Sequence, residues 1–366
     1  MPSTPRDVLL VGSLPLLPAA EVFRTVAKHL GPLARRIPDG EQIGWSRAVQ
    51  RKIGHHEAFE VSRRVPLNAG GRDPVNFVRL KDGYKIEDVK LGPYGYADNA
   101  ARSYAAFKQL QREGTISSGT RYQVTLPGPG TSAFFIELPP DVLLPVAREA
   151  LGQELDEIVR AISTKDLTIQ LDIGMEAEHE EYLRRPQAFD QPVHTVFHWT
   201  LDQMAESVAW LANKVPAEAE LGFHICSIWH HDPSAGQDNA ALVDIANAIL
   251  RRVKRRVDYI HIPIIPEHSD ADMTPLASLD LQTETQLYLG LINVWDGVDG
   301  ARRRIAAAEK VVTGFGVASY CGLGRPPSVE ARGPSAHSHP PIPALLRATP
   351  ETIGEVLDLH RTVAEL

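Results

Sequence analysis

The side chains with the clearest chemical potential are one histidine and the only two cysteines of the chain. His224 and Cys226 are two positions apart, so a β-strand would project both from the same face. Cys321 lies far along the chain, but it follows another apolar run and would reach the same site if the strands closed into a barrel. One imidazole and two thiolates suit Zn²⁺, and three protein ligands leave one position open for a substrate atom. The pattern predicts a metal site of the catalytic type.

Two plainer interpretations of these residues stay open. A cysteine is often a small buried apolar side chain, and a His-x-Cys pair is common by chance. A disulfide between Cys226 and Cys321 is the least favoured alternative, because two cysteines in 366 residues are typical of a protein from a reducing compartment. We therefore expect a cytoplasmic protein.

Eight short apolar runs have the length and composition of β-strands, and polar or glycine residues follow most of them. The runs are Asp7–Ser13, Ala34–Pro38, Tyr122–Leu126, Leu167–Asp172, Leu221–Ser227, Tyr259–Ile264, Leu287–Asn293 and Thr313–Ser319. His224, Cys226 and Cys321 belong to the ends of such runs.

Helical stretches alternate with many of these runs, as expected for a parallel α/β fold. The predicted helices are Pro18–Leu30, Pro145–Ser163, Leu201–Lys214, Ala240–Arg255 and Gly300–Glu309. Eight strands with helical crossovers predict a (β/α)₈ TIM barrel. In such barrels the site residues gather after the C-terminal ends of the strands.

Two segments depart from a plain barrel. An insertion at about residues 42–120 elaborates the connection between the second and third strands, and it contains the amphipathic stretch Asn99–Arg112. Residues 325–343 are rich in proline, serine and glycine, which predicts a loop. Neither segment has the character of an independent domain, so we expect residues 1–366 to form a single barrel domain.

Composition disfavours several kinds of partner. The chain has 38 Lys and Arg against 46 Asp and Glu, and this net charge of −8 argues against a phosphate-binding surface for nucleic acid. Charged residues or prolines interrupt every apolar stretch well before the ~20 residues that span a bilayer, so we expect no membrane segment. The glycine motifs of nucleotide-binding loops are missing. A small-molecule substrate remains the expected partner, and the oligomeric state is open.

Short motifs in a fixed order resemble the catalytic barrel of cobalamin-independent methionine synthase. They include Gly12-Ser13, Asp39-Gly40-Glu41, Pro127-Gly128-Pro129-Gly130, His224-Ile225-Cys226 and Cys321-Gly322-Leu323. The resemblance covers nearly the whole chain. It corresponds to the single-barrel relatives, because the N-terminal half of the full-length synthase has no counterpart here.

The resemblance implies a zinc site of His224, Cys226 and Cys321 that holds a substrate thiol as its thiolate. The thiolate would attack an electrophilic carbon and take over an alkyl group. The resemblance also implies that Ser13, Glu41 and Asp172 bind the amino-acid part of the substrate, with the two carboxylates on its ammonium group.

The sequence departs from the family at the fourth metal ligand. The family has a glutamate after the sixth strand, where this chain has Pro263, and proline has no ligating side chain. His261 lies two residues earlier on the same strand face and is the ligand that we expect instead. Glu267 and His268 in the following loop are alternatives.

Further departures concern the substrate and the general acid. The family has Asp-Glu-Pro after the fourth strand, whereas here Glu176 is the next carboxylate after Asp172, and we expect it to contact the substrate. Near the position of the family's general-acid histidine, Trp295 is the expected substrate contact and Asp296 the expected replacement acid. Arg325 follows the last motif, where a guanidinium could clamp a carboxylate or phosphate.

The sequence thus predicts a zinc-dependent methyl or alkyl transferase that acts on a small, thiol-containing substrate. Because barrels host unrelated reactions, the fold alone does not choose the chemistry. One alternative is a metal-dependent hydrolase or decarboxylase-like lyase on the same barrel. A second alternative is a non-catalytic barrel that binds a metabolite.

Overall fold

An eight-stranded parallel barrel forms the centre of the protein. The structure is a computed structural model, and it describes residues 5–67, 72–186, 199–226, 238–264, 272–294, 296–324 and 348–366. Its strands are β1 (Val8–Leu9), β2 (Arg36–Pro38), β3 (Phe59–Leu67), β4 (Arg72–Leu80), β5 (Arg121–Pro127), β6 (Leu167–Ile173), β7 (Glu220–Ile225), β8 (Tyr259–Pro263), β9 (Gln286–Ile292) and β10 (Gly316–Ser319). The barrel strands lie in the order β1-β10-β9-β8-β7-β6-β5-β2. This order confirms the predicted TIM barrel.

Helices cover the outside of this sheet. They are α1 (Ala19–His29), α2 (Ser46–Gly54), α3 (Tyr96–Arg112), α4 (Pro129–Ala133), α5 (Pro140–Ala161), α6 (Met175–Arg184), α7 (Leu201–Ala212), α8 (Asn239–Leu250), α9 (Gly297–Ala308) and α10 (Ile353–Ala364). The five helices predicted from the sequence are confirmed with shifted ends. None of the helices within the described ranges combines the length and the apolar composition that a membrane crossing requires.

The barrel closes weakly between its first two strands. One isolated bridge, between Ser13 and Gly40, joins the chain after β1 to the chain after β2. Side chains support the closure from inside, because the amide of Gln123 on β5 donates to the carbonyl oxygens of Leu10 (3.0 Å) and Val11 (3.1 Å). These inward carbonyls also explain why β1 is shorter than predicted, since they are bonded to side chains instead of a neighbouring strand.

A charged layer fills the end of the barrel where the strands begin. Arg36 on β2 is 3% exposed, donates to Glu220 (3.0 Å) and to the Tyr288 hydroxyl (3.1 Å), and lies 4.4 Å above the ring of Tyr259. Gly222 on β7 makes room for that ring, because a Cβ at this position would come within 2.0 Å of it. Packed aromatic rings occupy this end, so the barrel's chemistry belongs at its opposite mouth.

The connection between β2 and β5 is elaborated by α2, the antiparallel hairpin β3–β4 and α3. The predicted stretch Asn99–Arg112 lies within α3, whereas the hairpin was not predicted. Glu154 on α5 fixes the start of α3, since its carboxylate accepts the backbone N–H groups of Gly95 and Ala97, each at 2.8 Å. This contact ties the insertion to the barrel. The predicted loop at 325–343 lies outside the described residues.

Candidate metal centre

His224, Cys226 and Cys321 come together at the mouth where the strands end. Each offers one possible ligand atom, and these atoms all lie within 4.8 Å of one another. His224 is on β7, and Cys226 follows that strand with its N–H bonded to the carbonyl of Ile173 at 2.9 Å. Cys321 follows β10, where its carbonyl accepts the hydroxyl of Ser319 at 2.6 Å. Two distant strand ends therefore present one compact set of donors.

The two thiols are free and in contact. Their Sγ atoms are 3.8 Å apart, so the disulfide alternative does not describe this structure. The hydrogen bond between the two thiols, together with burial, raises the pKa of Cys226 well above its usual range. The same bond lowers the pKa of Cys321 well below its usual range. The site thus already favours one thiolate.

The donor set fits a zinc ion. The Nδ1 atom of His224 is engaged by another histidine, whereas its Nε2 atom is buried and has no hydrogen-bond partner among the described residues. Burial opposes the charged form of His224, but the neighbouring Cys321 and Asp172 together raise its pKa above the usual value. One imidazole nitrogen and two sulfurs within 4.8 Å of one another are the nitrogen and sulfur ligands that zinc prefers.

His261 on β8 stands directly beside His224. The two are paired residues of the β7–β8 ladder, and their Nδ1 atoms are 2.7 Å apart. Burial first, and then the neighbouring His224, lowers the pKa of His261 well below its usual value. Among the described residues the donor group within 4.8 Å does not include His261, so its role as fourth ligand stays a prediction. The alternatives Glu267 and His268 lie outside the described residues.

Asp172 on β6 borders the site from the other side. It is the ladder partner of His224, and the amide of Gln170 donates to its Oδ1 atom at 2.8 Å. Burial raises the pKa of Asp172 to about 7, against the opposing effect of His224. The sequence interpretation missed Gln170, although its position two residues before Asp172 places both on one strand face.

Ser13 and Glu41 lie at the same mouth. The Ser13 hydroxyl packs against Gly322, the neighbour of Cys321, because a Cβ on that glycine would come within 2.1 Å of it. Glu41 has φ +59°, a conformation that is unusual for any residue except glycine. Its carboxylate packs against Gly12, where an added Cβ would lie 2.5 Å from Oε1. The predicted substrate residues are therefore assembled, although their binding role stays a prediction.

The carboxylate of Glu176 instead binds the loop after β5. Its Oε1 atom accepts the N–H groups of Gly130 (2.8 Å) and Thr131 (3.1 Å), and its Oε2 atom accepts the Thr131 hydroxyl at 2.5 Å. The side chain is buried, and burial raises its pKa. Through these contacts Glu176 stabilises the loop after β5. Its predicted contact with the substrate stays a prediction.

Asp296, at the start of α9, forms a bidentate salt bridge with Arg304. The two guanidinium N–H groups meet the two carboxylate oxygens at 2.6 and 2.9 Å. This ion pair engages both carboxylate oxygens, and the predicted catalytic role of Asp296 stays a prediction. Trp295 and Arg325, the other predicted substrate contacts, lie outside the described residues.

The barrel and the arrangement at its mouth define a TIM-barrel protein with the fold of B12-independent methionine synthases. Two solved structures share that fold at a TM-score of 0.56 and 14% sequence identity, and each match covers 99% of this chain and 97% of the other. One is a B12-independent methionine synthase from Shewanella sp. W3-18-1 in complex with selenomethionine, and the other is a putative vitamin-B12 independent methionine synthase from Listeria monocytogenes. No family model and no curated protein matches the chain. The resemblance predicted from the motifs is confirmed at the level of the fold.

Proposed function

We propose that the protein is a zinc-dependent enzyme that transfers a methyl or other alkyl group to the thiol of a small substrate. The observation that carries this proposal is the group of His224, Cys226 and Cys321 at the mouth of the barrel, with ligand atoms within 4.8 Å. A B12-independent methionine synthase structure of the same fold was solved with selenomethionine, which supports a sulfur-type amino acid as the substrate class. A cytoplasmic location, where thiols stay reduced, belongs to the same proposal.

His224, Cys226 and Cys321 would hold the zinc. Zinc bound there would lower the pKa of a substrate thiol and supply a thiolate nucleophile at neutral pH. The protein's own residues would hold and orient the rest of the substrate at the mouth. This lowers the entropic cost of reaching a reactive geometry.

Asp172, Glu41 and Ser13 would bind the amino-acid end of that substrate. Asp172 is buried with a pKa of about 7, so a nearby positive charge strongly favours its ionised form. A substrate ammonium supplies that charge, and binding then pairs the two groups away from water. Ser13 offers a hydroxyl beside Gly322 for a further hydrogen bond.

The first test is the zinc content of the purified protein. We expect about one zinc per chain in the wild type, and strongly reduced zinc in Cys226→Ser, Cys321→Ser and His224→Leu with the circular dichroism unchanged. The matched control is His360→Leu, because His360 is also fully buried but lies on α10. Wild-type zinc content in both cysteine variants would remove the basis of the proposal.

The second test asks whether a thiol enters the metal site. The cobalt-substituted protein is titrated with homocysteine as the aminothiol and with homoserine as the hydroxyl control. A thiolate ligand should add a sulfur-to-cobalt charge-transfer band with homocysteine alone. An unchanged spectrum with homocysteine would contradict a thiol acceptor.

A metal-dependent hydrolase or decarboxylase-like lyase is the second candidate. Its supporting observation is Asp172, since a carboxyl with a pKa of about 7 is suited to proton transfer at neutral pH. This candidate predicts stoichiometric metal and no spectral response to thiols. The two cobalt titrations therefore separate it from the alkyl transferase.

A further inference from the structure

His224 and His261 share a hydrogen bond between their Nδ1 atoms, and one of the two rings must donate its hydrogen. Their Nδ1 atoms are 2.7 Å apart, and both side chains are at most 1% exposed. At this distance one nitrogen must carry the hydrogen and the other must offer its lone pair. A histidine that binds zinc is neutral, so the His224 ring then has one N–H group only.

Only one of the two possible arrangements leaves His224 able to bind a metal. If His261 donated, the single hydrogen of His224 would sit on Nε2, and that nitrogen would have no lone pair to offer. If His224 donates through Nδ1, its Nε2 lone pair is free. Nε2 is also the nitrogen that has no hydrogen-bond partner among the described residues.

We propose that His261 is a positioning residue that accepts the Nδ1 hydrogen of His224, and so fixes both the orientation of that ring and the nitrogen through which it binds zinc. In this role His261 acts through His224 instead of serving as the fourth ligand. The inference rests on the metal site of the proposed function. Histidine ligands generally need such a partner, although the usual one is a carboxylate, a backbone carbonyl or water.

The surrounding chain keeps His261 in place. The two histidines are fixed opposite each other by the β7–β8 ladder. On β9, Gly290 lies against β8 and the His261 ring, because an added Cβ would come within 2.6 Å of the Tyr320 backbone, 3.0 Å of the Pro263 backbone and 3.1 Å of the His261 Nε2 atom. The position of the acceptor is therefore set by three neighbouring strands.

Zinc affinity tests the proposal through a pair of substitutions. His261→Leu removes the acceptor with little change in volume, whereas His261→Asn keeps a polar atom near the former Nδ1 position. We expect the zinc dissociation constant, measured by competition with a chromophoric chelator, to rise about 10- to 100-fold in His261→Leu. His261→Asn should recover most of that loss, and the buried control His360→Leu should bind as the wild type does. Unchanged affinity in His261→Leu would overturn the proposal.

Metal coordination distinguishes positioning from direct ligation. X-ray absorption of the zinc-loaded wild type should show one histidine and two sulfur ligands from the protein, with the same set in His261→Asn. A second histidine that disappears in both His261 variants would make His261 a ligand, and the positioning role would be wrong.

The metal-free wild type provides a test that needs neither zinc nor activity. In protein labelled with ¹⁵N-histidine, long-range proton–nitrogen spectra report which nitrogen of each ring is protonated, and the His224→Leu and His261→Leu spectra assign the signals. We expect His224 to be protonated on Nδ1 and His261 on Nε2. The opposite pattern would refute the inference even if the protein binds zinc. A wild type that shows the expected pattern but binds no zinc would refute the proposed function alone.

Discussion

Acidification should destabilise the protein partly through one buried histidine on α10, outside the candidate metal centre. His360 on α10 is fully buried, its Nδ1–H group donates to the carbonyl of Val356 at 2.7 Å, and its Nε2 atom has no hydrogen-bond partner among the described residues. A second proton on this ring would sit on Nε2 without an acceptor. Burial accordingly lowers the pKa of His360 from 6.5 to about 4.

The sign and size of the effect follow from proton linkage. Below a pH of about 6.5 the unfolded chain gains a proton at this position and the folded protein does not, so stability falls as the pH falls towards 4. Between about pH 7.5 and about pH 5 this one group removes about 2 kcal/mol from the free energy of unfolding. The loss is complete only below the folded-state pKa.

Urea denaturation of the wild type and of His360→Leu at the two pH values isolates this contribution. Other groups titrate in both proteins, so the difference between their pH dependences belongs to His360. The variant should lose about 2 kcal/mol less than the wild type on acidification. Parallel losses in the two proteins would show that His360 is protonated equally easily in the folded and unfolded states, and the reasoning from burial would be refuted.

Three further substitutions test contacts at the two ends of the barrel. Asp172→Asn should keep the zinc but weaken homocysteine binding about tenfold or more by calorimetry, because a charged partner of the ammonium is lost; loss of zinc instead would place Asp172 among the metal ligands. Glu176→Ala should lower the free energy of unfolding by at least about 2 kcal/mol, since it leaves buried N–H groups of the loop after β5 without an acceptor; unchanged urea midpoints would contradict this. Gly222→Ala should cost about 1–3 kcal/mol because its Cβ would overlap the Tyr259 ring, and a melting temperature equal to that of the wild type would show that the ring moves freely.

The strands of the barrel were predictable because each is buried on both faces. Such strands form short continuous apolar runs, and all eight predicted runs overlap a strand of the barrel. The hairpin β3–β4 gave no comparable signal, since Phe59–Leu67 mixes charged residues and a proline with its apolar positions. An isolated bridge between Val78 and Ile136 joins the hairpin to the segment between α4 and α5, a contact that the local sequence does not indicate.

The site was predictable as a set of residue types, but its contacts were not. The pair His224 and Cys226 follows from strand periodicity, and the closing of a barrel brings Cys321 to them. In contrast, the contact with His261 depends on the register between β7 and β8, which the sequence does not encode locally. The partners of Glu176 and Asp296 likewise belong to neighbouring loops and helices, so the sequence showed the carboxylates without what they bind.

The barrel is paired least between β1 and β2, next to the residues that would bind the substrate. The backbones of the chain segments after β1 and β2 pair at one isolated bridge, Ser13–Gly40, whereas β5 and β6 pair continuously from Tyr122 to Pro127. Ser13 and Glu41 stand on opposite sides of this gap. A ligand bound by both residues would link the chain after β1 to the chain after β2. Ligand binding should therefore slow amide hydrogen exchange along β1. The rate of amide hydrogen exchange in β1 would then report ligand binding without any measurement of turnover.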